Sequence, residues 1–396
     1  MNQLKTYLAG QEQEQLRFLR ELVLQPSYSG SKQDVDNAGA IIAKELDMLP
    51  MRTEVVRQDE TGNHLLFRSP ACDNQHGSIL LVGHMDTVFP RDSGFDSYRE
   101  KDGKVFGPGV IDMKGGLVAA VFALKALHHQ GLLDTIPITL LCNSDEEIGS
   151  PTSKEMITKE AQKALFGLVF ECGGLSGEIV TGRKGKNGFN LTVSGRAGHA
   201  AFSGVEKASA ILEMAHKIIA IEKLNNSRRQ LVVNVGTVKG GLGPNTVPDS
   251  ASASIDTRFL SQLDGQECIE ALTRITTNCT IPGTSGELIY TGGRLPMEQS
   301  AGNDILFRLI EAESKRLGQK VLAELRSGVS DANTMASAGL PVVDGMGPRG
   351  DCDHSDREYM IRDSLPEKTL LAARVIATGW QQLQQGNLSF SAALRN

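Results

Sequence analysis

Apolar and polar positions follow one another along this chain in two styles, and the change falls near residue 183. Before it, short unbroken apolar runs at Ile79 to Val82, Ile136 to Cys142 and Gly167 to Phe170 read as strands covered on both faces, with His64 to Phe67 as a further strand. Between them, apolar residues recur at three- and four-residue spacing. Residues 11–24 carry Leu16, Phe18, Leu19, Leu22 and Val23 on one face and predict a helix, as do 34–48 and Ser153 to Gln162. Gly115 to His129 is apolar over most of its surface and closed by Gly131, which predicts a buried helix. This alternation predicts an α/β layer with helices on both faces of a mixed, largely parallel sheet.

Beyond residue 183, Phe189 to Ser194 and Ala251 to Thr257 alternate strictly, which fits strands with one wet face. Lys207 to Leu224 and Gln266 to Asn278 have helical periodicity. The order strand–helix–strand–strand–helix–strand predicts a smaller α+β domain. Helical patterns return at Asn303 to Leu317 and Ser364 to Gln385, after G-G-R-L-P at 292–296. A chain of 396 residues is long for one core, so two domains are expected. Because His354 belongs chemically with the first half, 1–183 and 296–396 are expected to form one domain and 184–295 an insertion into it.

Composition narrows the partners. With 40% hydrophobic and 22% charged residues the chain is of ordinary globular type. A net charge of −6 and a pI near 5.8 oppose nucleic acid or an anionic membrane as a partner. No apolar run approaches the roughly 20 residues that span a bilayer. The N-terminal stretch lacks a signal-peptide apolar region, so cytoplasmic residence is expected. The six cysteines are scattered without C-x-x-C spacing and read as free thiols.

Carboxylates and imidazoles recur, most of them just after apolar runs: His84 and Asp86 in G-H-M-D-T-V, Asp112 in G-V-I-D-M-K-G-G, Glu146 and Glu147 in N-S-D-E-E-I-G-S, Glu171 in F-E-C-G-G, and His354 in D-C-D-H-S-D. Residues delivered repeatedly to the ends of buried strands build a site at one edge of a sheet. Nitrogen and oxygen ligands without cysteine point to zinc or a similar divalent ion. Five candidate ligands exceed one tetrahedral zinc and suit two metals sharing a bridge. Each motif alone has a plain reading. H-x-D is commonly loop polarity, Asp112 could cap the following helix, Glu146-Glu147 could be a solvated turn, and the acidic run around His354 a solvated loop. Adjacent Glu146 and Glu147 point in different directions, which gives Glu147 to the metal and Glu146 to general-base work on water.

Taken together and in this order, the motifs resemble those of the M20 metallopeptidases and amidohydrolases, from about residue 80 to 380. The resemblance implies a phosphorylase/hydrolase-like zinc-peptidase catalytic domain with an inserted ferredoxin-like dimerisation or lid domain. It implies two Zn2+ per subunit, with Co2+ or Mn2+ also compatible. His84 and Glu171 would hold one, Glu147 and His354 the other, and Asp112 both. Asp86 would orient His84, Glu146 would be the general base, and a cis peptide would follow Asp112. His199 in S-G-R-A-G-H-A would reach across a homodimer to stabilise an oxyanion. Asn245 in G-P-N-T-V-P and Arg258 in I-D-T-R would bind substrate, the arginine through a carboxylate.

The implied activity is hydrolysis of an amide next to a free carboxylate, releasing a C-terminal amino acid such as glutamate from a small peptide. The wording of the motifs is closest to the glutamate carboxypeptidase branch. Deacylation of an N-acyl amino acid is the alternative. A two-metal phosphoesterase lacks support, since no phosphate-cradling G-x-x-x-x-G-K-[ST] occurs. A non-catalytic binding protein is opposed by the presence of Glu146 beside a full ligand set.

Overall fold

The computed structural model describes residues 2–75 and 77–390. Its contacts divide the chain into two compact units, residues 1–182 with 299–325 and 330–396, and residues 183–298 with 326–329.

The first unit is built on a six-stranded sheet. In spatial order its strands are Arg52–Val56, His64–Arg68, Ile138–Asn143, Ser78–His84, Ala164–Val169 and Val342–Val343. The last four run parallel, His64–Arg68 runs against them, and Arg52–Val56 pairs antiparallel with His64–Arg68. The sheet is therefore mixed and mostly parallel. Successive strand residues face opposite sides, yet every residue from Ile79 to His84 and from Ile138 to Asn143 is buried. Only a sheet covered on both faces gives that pattern, which is why these strands appear in the sequence as unbroken apolar runs.

Parallel neighbours need crossovers, and helices provide them. Gly115–His129 links Ser78–His84 to Ile138–Asn143 and is buried from Gly115 through Leu127. It packs against Ser364–Gln384, Glu12–Leu24 and Asn2–Ala9, while Lys154–Lys163 packs on Asp331–Ser337. Two helices begin earlier than periodicity predicts because a serine fixes the start. The Ser300 hydroxyl accepts from Asn303 N–H at 3.1 Å and opens Ala301–Arg316. The Ser261 hydroxyl accepts from Asp264 N–H at 3.1 Å and opens Gln262–Thr277.

The second unit has the order strand–helix–strand–strand–helix–strand. Gly185–Ser194, Val232–Gly240, Ser250–Phe259 and Ser285–Arg294 form an antiparallel sheet, with Ala210–Glu222 and Gln262–Thr277 packed on it. The first strand lies between the third and fourth, and the second lies at an edge, which is the ferredoxin-like arrangement. Phe189, Leu191, Val193, Met214, Ile255, Phe259 and Leu272 fill its core. Among the described residues, no helix is long and apolar enough to cross a membrane.

Gly116 shows how closely the first unit's layers approach. A Cβ there would lie 1.8 Å from the Phe170 carbonyl oxygen, an obstacle of backbone that no rotamer change relieves. Gly116→Ala should cost about 3 kcal/mol of unfolding free energy in urea denaturation, the upper end of overpacking penalties. A change below about 0.5 kcal/mol would show that helix and strand separate freely.

Candidate metal centre

The carboxyl ends of the parallel strands converge on one edge of the sheet. His84 ends the strand Ser78–His84 and pairs in register with Asn143, the last residue of its neighbour. Glu146 and Glu147 follow that neighbour in a short turn, and Glu171 follows Ala164–Val169. Asp112 sits in the irregular turn Val110–Lys114 that opens the helix Gly115–His129, and the Asp112–Met113 peptide is cis, as the resemblance implies. His354 comes from the loop before the strand Tyr359–Ile361, with its backbone in the left-handed region at φ 58°.

These side chains meet. His84 Nε2 lies 3.0 Å from Asp112 Oδ1 and 3.5 Å from Glu171 Oε1. His354 Nε2 lies 3.1 Å from both Asp112 Oδ2 and Glu147 Oε2. Asp112 thus turns one oxygen to each histidine. Ligand atoms of His84, Glu146 and Glu171 lie within 4.8 Å of one another, as do those of His84, Asp112 and Glu147.

The charge balance is demanding. Burial opposes a charged His84, but Asp112, Asp86 and Glu171 outweigh it and hold its pKa well above the ordinary value. Hydrogen bonds to Asp112 and Glu147 raise His354 to about 11. Burial pushes Asp112 upward, yet the two histidines prevail and hold it below the usual carboxylate range. Burial raises Glu147, and burial with the nearby Asp112 charge lifts Glu171 to about 7. The cluster holds protons where a more highly charged cation would serve. Glu147 Oε1 is buried and accepts no hydrogen bond, an orphan that a metal ion would satisfy. Two imidazoles and three carboxylates form a donor set suited to zinc or a similar ion. The residues fit the group.

Asp86 does more than orient His84. The ring Nδ1 faces the Asp86 backbone carbonyl at 3.0 Å and the carboxylate at 3.5 Å. The fully buried Asp86 carboxylate also accepts from the N–H groups of Glu146 and Glu147, each at 3.2 Å, and from the Ser29 hydroxyl at 2.7 Å. One side chain therefore holds both the histidine and the diglutamate turn. An Nδ1–H donated to the carbonyl leaves the His84 Nε2 lone pair for a metal.

The predicted residues outside this cluster lie in the second unit. His199 is exposed, accepts from Ala201 N–H at Nδ1 (3.2 Å), and pairs with Thr246 in a two-stranded ladder. Ala200 N–H donates to the Asn245 carbonyl at 2.9 Å, so His199 and Asn245 are neighbours. Arg258 is half-buried and donates to Asp256 at 2.8 Å. Sequence reasoning missed Ser29, the exposed Asp353 that groups with Asp112 and His354, and the buried Glu358. Glu358 belongs to the acidic run D-C-D-H-S-D-R-E. The apolar Tyr359–Ile361 that follows is the one signal that this end of the run turns inward.

A model of peptidase family M20/M25/M40 matches residues 80–378. Carboxypeptidase G2 of Pseudomonas sp. (strain RS-16) is 30% identical over 303 residues, 76% of this chain and 73% of that protein. Acetylornithine deacetylase of Pasteurella multocida (strain Pm70) is 26% identical, covering 63% of this chain and 68% of that one. An M20 family metallo-carboxypeptidase from Sulfolobus solfataricus superposes with a TM-score of 0.75 at 18% identity, covering 92% of this chain and 98% of the other. That last likeness concerns the fold.

The metal-free protein offers a direct check on the geometry. Since Asp112 and Glu147 favour the charged imidazole, the stabilisation from His354 is fully present below pH 6.5 and is lost as pH rises through about 11. By NMR, its ring should still be protonated at pH 9 after metal removal. A midpoint near 6.5 would mean that neither carboxylate holds it.

Proposed function

Because this chain belongs to peptidase family M20/M25/M40, we propose that it is a two-metal hydrolase that cleaves an amide beside a free carboxylate, releasing a C-terminal amino acid such as glutamate. The observation that carries this reading is Asp112, whose two oxygens face two histidines from separate segments. His84 and Glu171 would hold one divalent ion, Glu147 and His354 a second, and Asp112 both, with zinc suited to the donors. When bound, the ions would polarise the scissile carbonyl and make a neighbouring water more acidic.

The chain's own residues supply the rest. Glu146 takes the proton of the attacking water and returns it to the leaving nitrogen. Asp86 keeps Glu146 and His84 in place through the bonds described above. The Nδ1 of His199 accepts from Ala201 N–H, which leaves Nε2 as the ring nitrogen suited to donate to an oxyanion. We assign that role to the partner subunit's His199 in a homodimer. Asn245 contacts substrate and Arg258 takes its carboxylate as a planar, permanently charged fork. Residues 184–295 would then form the dimerisation or lid domain inserted into the catalytic domain of 1–183 and 296–396. Free cysteines accord with a cytoplasmic setting.

Similarity to an acetylornithine deacetylase favours a second reading, removal of an acyl group from an N-acyl amino acid. A panel of aroyl-glutamates, C-terminal glutamate peptides and N-acetyl amino acids separates the two. Zinc-loaded protein should turn over the glutamate compounds and lose activity to a chelator. Glu146→Gln should lower kcat by about 10²- to 10⁴-fold with metal content unchanged. Turnover of acylated amino acids alone would leave the residue roles and replace the substrate. Unimpaired turnover by Glu146→Gln would remove it as the base.

A further inference from the structure

Glu358 is buried completely, yet it lies outside the ligand set. Its Oε2 accepts from Gly109 N–H at 3.0 Å, and its Oε1 accepts from Ile111 N–H at 2.8 Å and Asp112 N–H at 3.1 Å. Backbone N–H groups converging in this way form an anion cradle, filled here by the chain's own carboxylate. The topology explains why one side chain can reach. Phe106 pairs antiparallel with Tyr359, so the loop to Asp112 leaves this strand pair at the end where the segment carrying His354 enters it. That segment is short and tied, because Glu358 N–H donates to the Ser355 carbonyl at 3.1 Å. Glu358 therefore spans the gap between two diverging segments, each of which bears a proposed metal ligand. It grips the backbone of Asp112 itself and leaves the Asp112 carboxylate turned toward His84 and His354.

We propose that Glu358 is a positioning residue for the metal centre, fixing Asp112 relative to His354 and so setting the affinity of the ion position those two residues share. The inference rests on the two-metal reading above. It differs from a general packing role because its effect is unequal: the position of Glu147 and His354 loses the alignment of two ligands, Asp112 and His354, and the other position that of Asp112 alone. The position of His84 and Glu171 shares Asp112, but its other two ligands follow strands that Glu358 does not touch.

Glu358→Gln is the informative change. It preserves size and one acceptor oxygen but sets an NH₂ group against a backbone donor, so at least one grip on the loop is lost. Zn2+ affinity, measured against a chromophoric competitor, should fall about 10- to 100-fold for the ion held by Glu147 and His354 and by a smaller factor for the other. The kcat should fall with the weakly held ion below saturation and recover as Zn2+ is raised, while KM moves little. Glu313→Gln is the control. Glu313 is as deeply buried and is held by Arg374 at 2.7 Å, away from the site, so its loss should lower stability and leave both affinities unchanged. Should Glu358→Gln not fold, Glu358→Asp keeps the carboxyl group, shortens the reach and carries the same readout. Unchanged binding of both ions, or an equal loss in Glu313→Gln, overturns the proposal. A wild type that binds no metal and hydrolyses nothing would instead remove the two-metal reading on which the proposal stands.

Discussion

Asp112 presents one oxygen to His84 at 3.0 Å and the other to His354 at 3.1 Å, from a loop where uncompensated charge is costly. Much of the surrounding structure meets that requirement. The strand ends bring His84, the diglutamate turn and Glu171 to the same edge, and the loop after Phe106 delivers Asp112 from the side. Asp86 anchors the backbone of the diglutamate turn, and Glu358 that of the loop bearing Asp112. The carboxylates favour the charged form of both imidazoles, which offsets part of their own charge. A divalent ion placed there would do the same with greater charge and satisfy the orphan oxygen of Glu147.

The two units follow different rules because they bury surface differently. In the first, strands covered on both faces leave their ends as the natural place for polar groups. In the second, one sheet face packs on two helices, and its notable residues lie in loops and on strand faces. His199 and Asn245 share a small ladder there, while Arg258 already has an acidic neighbour in Asp256.

Much of this was legible in the sequence, for physical reasons. Unbroken apolar runs such as Ile79 to Val82 fit doubly covered strands, and Gly115 to His129 is apolar all round because it is surrounded. Most of the candidate ligands were visible because they follow such runs, as His84 and Glu171 do. Edge elements were harder. Val232–Gly240 and Ser285–Arg294 expose most of their side chains and carry glycines, so alternation is weak. The helix Asn2–Ala9 and the strand Arg52–Val56 are short and give little periodic signal. Glu358 was hidden for another reason. A buried acid within an acidic run looks like solvated loop, and only the three N–H groups that face it in space reveal its purpose. Ser29 likewise matters only through Asp86.

The central claim is that Asp112 is shared by two ions. Crystals of the zinc-loaded protein, with anomalous scattering recorded on both sides of the zinc edge, address it directly. The account predicts two zinc peaks flanking the Asp112 carboxylate, one against His84 and Glu171 and the other against Glu147 and His354. A single peak, or two that leave Asp112 uncoordinated, would contradict it.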